Sequence, residues 1–128
     1  MRILSIDPGM TVGVAILSDG NLINAWDFSA THPLSFYKWV YSEVVEGDYD
    51  MIVVEDYVGA GSMSKVAGHT IRQIGFIEGL CLLEEQPFVR QSPSTRTPFI
   101  KRAEDLGVKN HAKHALAHAL AYERKHHD

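Results

Sequence analysis

The sequence predicts an α/β fold built on a mixed five-stranded sheet, with three antiparallel strands first, two parallel strands after them, and helices on both faces. Three observations predict it. Residues 2–28 read as strand, turn, strand, hairpin turn, strand; the remainder alternates helical and extended patterns; and the run Met51–Val54 is continuously apolar, as in a strand covered on both sides. At 128 residues the chain is the size of one domain, 1–128, and its apolar fraction of 45% and charged fraction of 22% exclude a disordered, collagen-like or coiled-coil chain.

Arg2–Asp7 is a short buried strand stopped by Asp7-Pro8-Gly9, a turn signal because proline fixes its own φ and glycine tolerates positive φ. Thr11–Leu17 is the second strand, Ser18-Asp19-Gly20-Asn21 a hairpin turn, and Leu22–Phe28 the third. Pro33 suits a first helical turn, and Leu34, Tyr37, Val40, Tyr41, Val44 and Val45 recur near helical spacing until Gly47. Met51–Glu55 is the fourth strand, and 59–64 a glycine-rich loop. Ile71–Leu83 is helical, with Ile71, Ile74, Ile77, Leu80 and Cys81 inward and Gly75 and Gly79 allowing close contact with the sheet. Phe88–Arg90 is the fifth strand, Gln91–Ser94 a loop, and Thr97–Leu106 a helical turn or two ending at Gly107. Asn110 is the expected N-cap of a last helix, His111–Arg124.

No apolar run approaches the length of a membrane span, so no membrane association is expected. The single Cys81 cannot form an internal disulfide, which suits a reducing cytoplasm. The net charge of −4 conceals an asymmetry, since residues 1–59 carry −7 and residues 60–128 carry +3. A basic face is therefore expected only in the second half.

Asp7 and Glu55 each end an apolar strand, where open α/β sheets place their sites. Taken alone, Asp7 is a turn former and Glu55 a solvated strand end. Asp56 follows Glu55 directly, and strand alternation sends at most one of the two toward Asp7. His111 and His114 lie three apart in HAKHALAHAL, on one helical face, with His118 further along it at the edge of the core. Acidic residues from two strands facing metal-capable side chains on a helix suit two-metal phosphodiester hydrolysis, in which ions about 4 Å apart activate water and stabilise the leaving oxygen. No small-molecule cofactor is indicated.

The opening ILSIDPGMTVGVAIL, with VVEDY, QSPS and HAKHALAHAL following in order, resembles the RuvC-like branch of the RNase H superfamily, the Holliday-junction resolvases and their bacteriophage relatives. The resemblance implies an RNase H-like sheet and a metal-dependent endodeoxyribonuclease of DNA recombination and repair. It also implies Asp7, Glu55, His111 and His114 as catalytic metal ligands, two Mg²⁺ or Mn²⁺ ions, branched DNA as partner, and a homodimer. The family usually carries Asp at the position of His114. Imidazole there removes a negative charge, weakens the second ion and shifts preference toward Mn²⁺; one histidine could instead serve as general base.

Lys65, His69 and Arg72 follow the glycine-rich loop at helical spacing and are phosphate candidates, with Tyr57 and Met63 placed to wedge or stack on bases. Lys113, with Arg90, Arg96, Lys101 and Arg102, forms a second tier of phosphate candidates. Other readings of the same residues are a same-fold nuclease acting on flaps or structured RNA, a nucleic-acid-binding module with weak or no catalysis, and a phosphotransferase of the actin–sugar-kinase type. The last needs a second phosphate loop that the sequence lacks.

Overall fold

The structure is a computed structural model that describes residues 1–57 and 65–126, without the side chains of Lys65 and Val66. The loop 59–64 with Met63, the Lys65 side chain and His127 therefore lie outside the described residues. Strands β1 (Arg2–Asp7), β2 (Thr11–Ser18) and β3 (Asn21–Ser29) lead into helix α1 (Pro33–Glu46) and strand β4 (Met51–Glu55). Helix α2 (Lys65–Leu83), strand β5 (Phe88–Gln91), a 3₁₀ segment (Pro93–Phe99), and helices α3 (Ile100–Asp105) and α4 (Asn110–His126) complete the order. The sheet runs β3-β2-β1-β4-β5. The β1–β2 and β2–β3 pairs are antiparallel, and the β1–β4 and β4–β5 pairs parallel, which is the mixed sheet expected.

Side-chain alternation along the strands divides the core in two. Leu4, Ile6, Val12, Val14, Ile52 and Val54 face α1 and α2, meeting Phe36, Val40, Val44, Ile74, Ile77 and Cys81. Ile3, Ala15, Leu17 and Val53 face the other way and meet Ala115, Leu116, Ala119 and Leu120 of α4, with Ala103 of α3 beside them. The alanines of α4 let its backbone lie close to the sheet.

One lateral row across this second face positions the site. Asp7 pairs with Gly13, Gly13 with Asp27, and Glu55 with Gln91. Continuing the β1–β4 register one residue past Ile6 and Val54 sets Asp7 beside Glu55. The row thus reads Asp27, Gly13, Asp7, Glu55, Gln91, at the carboxyl end of β1 and β4. Its β2 member has to be glycine, because a Cβ at position 13 would fall 2.1 Å from the backbone carbon and oxygen of His111 and 2.5 Å from the nitrogen of Ala112. The first turn of α4 therefore rests on bare β2 backbone.

Several expectations are corrected. Helix α1 buries Phe36, Val40 and Val44, with Tyr37 and Trp39 partly buried beside them, whereas Leu34, Tyr41 and Val45 are exposed. Helix α2 begins six residues earlier than Ile71, which is itself exposed. The buried residue there is Gln73, which makes two hydrogen bonds to the main chain of Gly9: its amide oxygen accepts from the N–H at 2.8 Å, and its Nε2 donates to the carbonyl at 3.0 Å. A Cβ at Gly75 or Gly79 would meet nothing within 4 Å, so close contact with the sheet is not their reason. Gln91 belongs to β5, and the segment after Ser92 is 3₁₀ helix. Helix α4 runs on to His126, whose ring stacks on Tyr122 at 4.1 Å. Among the described residues no helix is long and apolar enough to cross a membrane.

Gly13→Ala is expected to destabilise the protein by about 3 kcal/mol, the upper end for overpacking, because backbone and not a flexible side chain must move. Urea unfolding measures this; a loss under 1 kcal/mol would mean that α4 does not rest on β2 as described.

Candidate metal centre

Asp7 is buried at the end of β1, and two residues of α4 reach it. His111 Nδ1 lies 3.1 Å and His114 Nδ1 3.4 Å from Asp7 Oδ2. One ligand atom from each of the three lies within 4.8 Å of the other two. A carboxylate oxygen and two imidazole nitrogens at that spacing fit a divalent cation. The pKa of His114 is lowered, first by burial and then by the positive charge of Arg96, with Asp7 opposing both. A neutral ring keeps a lone pair available to a cation. A cleft of about 420 Å³ opens beside the three, lined by Thr11, Asp27, Asn110, His111, Lys113 and His114.

The first turn of α4 is held from the sheet. Asp27 Oδ1 accepts a hydrogen bond from the Ala112 N–H at 2.7 Å, so the carboxylate on a helix N–H group comes from β3 rather than from the expected cap, Asn110. A carboxylate there also complements the positive end of the helix dipole. Asn110 has φ of 60°, a left-handed conformation that asparagine tolerates better than most residues.

Glu55 lies in the same row but has other partners. Its Oε1 accepts hydrogen bonds from Arg96 Nη1 and from His118 Nε2, the latter at 3.0 Å. His118 is fully buried, not at the core edge as the sequence suggested. The amide nitrogen of Gln91 donates to His118 Nδ1 at 2.9 Å and to the His118 carbonyl at 3.1 Å. A carbonyl only accepts, so the nitrogen end of the amide faces His118; Nδ1 is then the acceptor, and Nε2 carries the proton given to Glu55. Burial, and secondarily the charge of Arg96, lower the His118 pKa to about 4.

The structure thus brings Asp7, His111 and His114 together and places Glu55 with Arg96 and His118. Lys113 lines the cleft. Arg72 is exposed on α2, whereas His69 Nε2 is engaged by the Gln73 amide at 3.1 Å. Tyr57 is exposed just beyond β4, at the rim of a hollow formed with Asp56, Ile71, Ile74 and Arg90. Arg90 is paired with Glu78 and Asp56, and Lys101 with Asp105. Sequence reasoning missed Asp27, Gln73 and Gln91. Asp27 could have been found from its two-residue spacing to Ala25 on one strand face, but the other two act through packing and register that carry no sequence motif.

The buried His118 sets an acid response. Between its ordinary pKa of 6.5 and its folded value of about 4, the unfolded chain binds a proton that the folded chain refuses, so stability falls as pH drops through that window. The difference corresponds to about 3 kcal/mol. Urea unfolding at stepped pH is expected to show this loss between pH 6.5 and 4 in the wild type and a flatter profile in His118→Gln; identical slopes would rule out a neutral, buried His118.

No protein-family model matches the chain, and no curated protein sequence matches it. Solved structures do. RuvC from Thermus thermophilus, in complex with a Holliday junction substrate, superposes with a TM-score of 0.75 at 16% identity, covering 98% of this chain and 96% of that one. The fowlpox virus Holliday junction resolvase gives 0.69 at 16% identity, covering 98% and 99%. The yeast mitochondrial Holliday junction resolvase gives 0.71 at 13% identity, covering 96% and 78%. With its mixed sheet, strand order and helical layers, the chain has the fold of the RuvC-like, RNase H-type resolvases.

Proposed function

We propose that the protein is a divalent-metal-dependent endonuclease that hydrolyses phosphodiester bonds in branched DNA, with the four-way junction as its substrate. The observation that carries this reading is the convergence of Asp7 with His111 and His114 at the carboxyl end of β1, beside an open cleft. The fold supports it, since similar structures are Holliday junction resolvases, one of them bound to its junction. A divalent ion at such a site supplies a Lewis acid and lowers the pKa of bound water.

The chain's own residues do the rest. Asp7 provides the negative charge that draws the cation. His114 is kept neutral as a ligand, and His111, half-exposed at the cleft mouth, offers the second imidazole nitrogen. Lys113 puts positive charge on the cleft wall, where a phosphate would lie. Arg72, exposed on α2, is the described phosphate candidate beyond the cleft and Tyr57 the described base contact, with Lys65, His69 and Met63 as further DNA-binding candidates. Symmetric incision of a junction needs two such sites related by a two-fold axis, so the active form is a homodimer.

The test offers purified protein a synthetic four-way junction, a flap, a plain duplex and an RNA duplex, with Mn²⁺ or Mg²⁺. Symmetric nicks confined to the junction are expected, reduced by about a hundredfold or more in Asp7→Asn. Tight junction binding with no incision would instead favour a binding module, and preferential cutting of flaps or RNA a different nuclease. Because imidazoles stand among the ligands, cleavage with Mn²⁺ is expected to exceed that with Mg²⁺ at matched concentration; equal rates would count against imidazole ligation.

A further inference from the structure

We propose that this site works with a single divalent ion, held by Asp7, His111 and His114, and that the Glu55–Arg96 ion pair takes the place of a second ion. The inference deepens the nuclease reading of the same site and concerns how its charge is arranged.

Three observations lead to it. The first is grouping: the ligand atoms that lie within 4.8 Å of one another come from Asp7, His111 and His114, and Glu55 is not among them. The second is occupancy. Glu55 Oε1 accepts from two hydrogen-bearing donors, Arg96 Nη1 and His118 Nε2. His118 is fully buried and fixed by two hydrogen bonds from Gln91, so this donor cannot swing aside without breaking a chain that runs from β5 through α4 to β4. The third is charge. Asp7 and Glu55 bring two negative charges, and Arg96 brings one positive charge into contact with Glu55. On the cleft wall Asp27 and Lys113 offset each other. One divalent ion then leaves a single positive charge, which one phosphodiester balances. Two ions would leave three, in a partly buried site where like charges repel strongly.

Arg96 is suited to the substitution. Its guanidinium is permanently charged and presents a planar fork that matches phosphate oxygens. At 26% side-chain exposure it reaches solvent, whereas Glu55 beneath it is 14% exposed. A phosphate lying between the ion on Asp7 and the guanidinium would be flanked by positive charge on both sides, one side exchangeable and the other covalently part of the chain. Glu55 then positions Arg96 rather than ligating metal.

The test counts Mn²⁺ bound to the full-length protein without DNA, by calorimetry and by electron paramagnetic resonance of the free ion, and follows junction cleavage as a function of free Mn²⁺. One ion per chain is expected, with affinity at least tenfold weaker in Asp7→Asn and weakened much less in Glu55→Gln, which removes a neighbouring charge but no ligand. Below saturation the cleavage rate is expected to rise with the first power of Mn²⁺. Arg96→Ala, which frees Glu55, is expected to gain a second and weaker ion. Two ions per chain in the wild type, second-power dependence of the rate, or a Glu55→Gln loss as large as that of Asp7→Asn would each overturn the proposal. Circular dichroism checks that the variants fold, and the wild-type count needs no variant. One bound ion with no cleavage of any DNA would sink the nuclease reading, and with it the catalytic role of the ion pair, while the single-ion count stands; cleavage with two ions would sink this proposal and leave the nuclease reading intact.

Discussion

The contact on which the site depends is a close approach of backbones: the first turn of α4 sits on β2 where Gly13 leaves no side chain in the way. That seat lies between two carboxylates of the same lateral row, and each is used. Asp27 takes the Ala112 N–H, and Asp7 takes the rings of His111 and His114. Moving the helix outward by the thickness of one methyl group would break both at once. A sheet row and a helix turn are rigid elements, so the three candidate ligands are fixed without reliance on a loop.

Carboxylates at the ends of buried strands are costly to dehydrate unless they have partners. The two here are treated differently. Asp7 meets two imidazoles at the cleft, groups that can exchange it for a cation. Glu55 meets a guanidinium and a buried N–H, groups that satisfy it where it stands. Removing one partner from a buried charge pair leaves an uncompensated charge, so Glu55 and Arg96 are a unit that mutation of either disturbs. His118 completes the arrangement because its neutral form offers a proton to Glu55 and a lone pair to Gln91.

Much of this was legible in the sequence because it is local. The strands β1 and β4 follow from apolar runs ended by a charge, the hairpin from Ser18-Asp19-Gly20-Asn21, and the facing of His111 and His114 from their spacing on a helix. The antiparallel-then-parallel sheet follows from a hairpin succeeded by helical crossovers. What could not be read depends on register. That Glu55 lies beside Gln91, and Asp27 beside Gly13, is fixed by long-range pairing, and the partner of a buried polar group is chosen by that pairing. Helical spacing also overstated the inward face of α2: Ile71 yields its place to Gln73, whose amide finds a peptide group to bind.

That amide has a mechanical consequence. By holding both the N–H and the carbonyl of Gly9, Gln73 completes the turn's hydrogen bonding as a neighbouring strand would, and it welds α2 to the loop two residues beyond Asp7. The helix cannot slide along its axis without dragging that loop or snapping both bonds. A push on the helix is therefore delivered to the carboxylate by a strut rather than lost in slack chain.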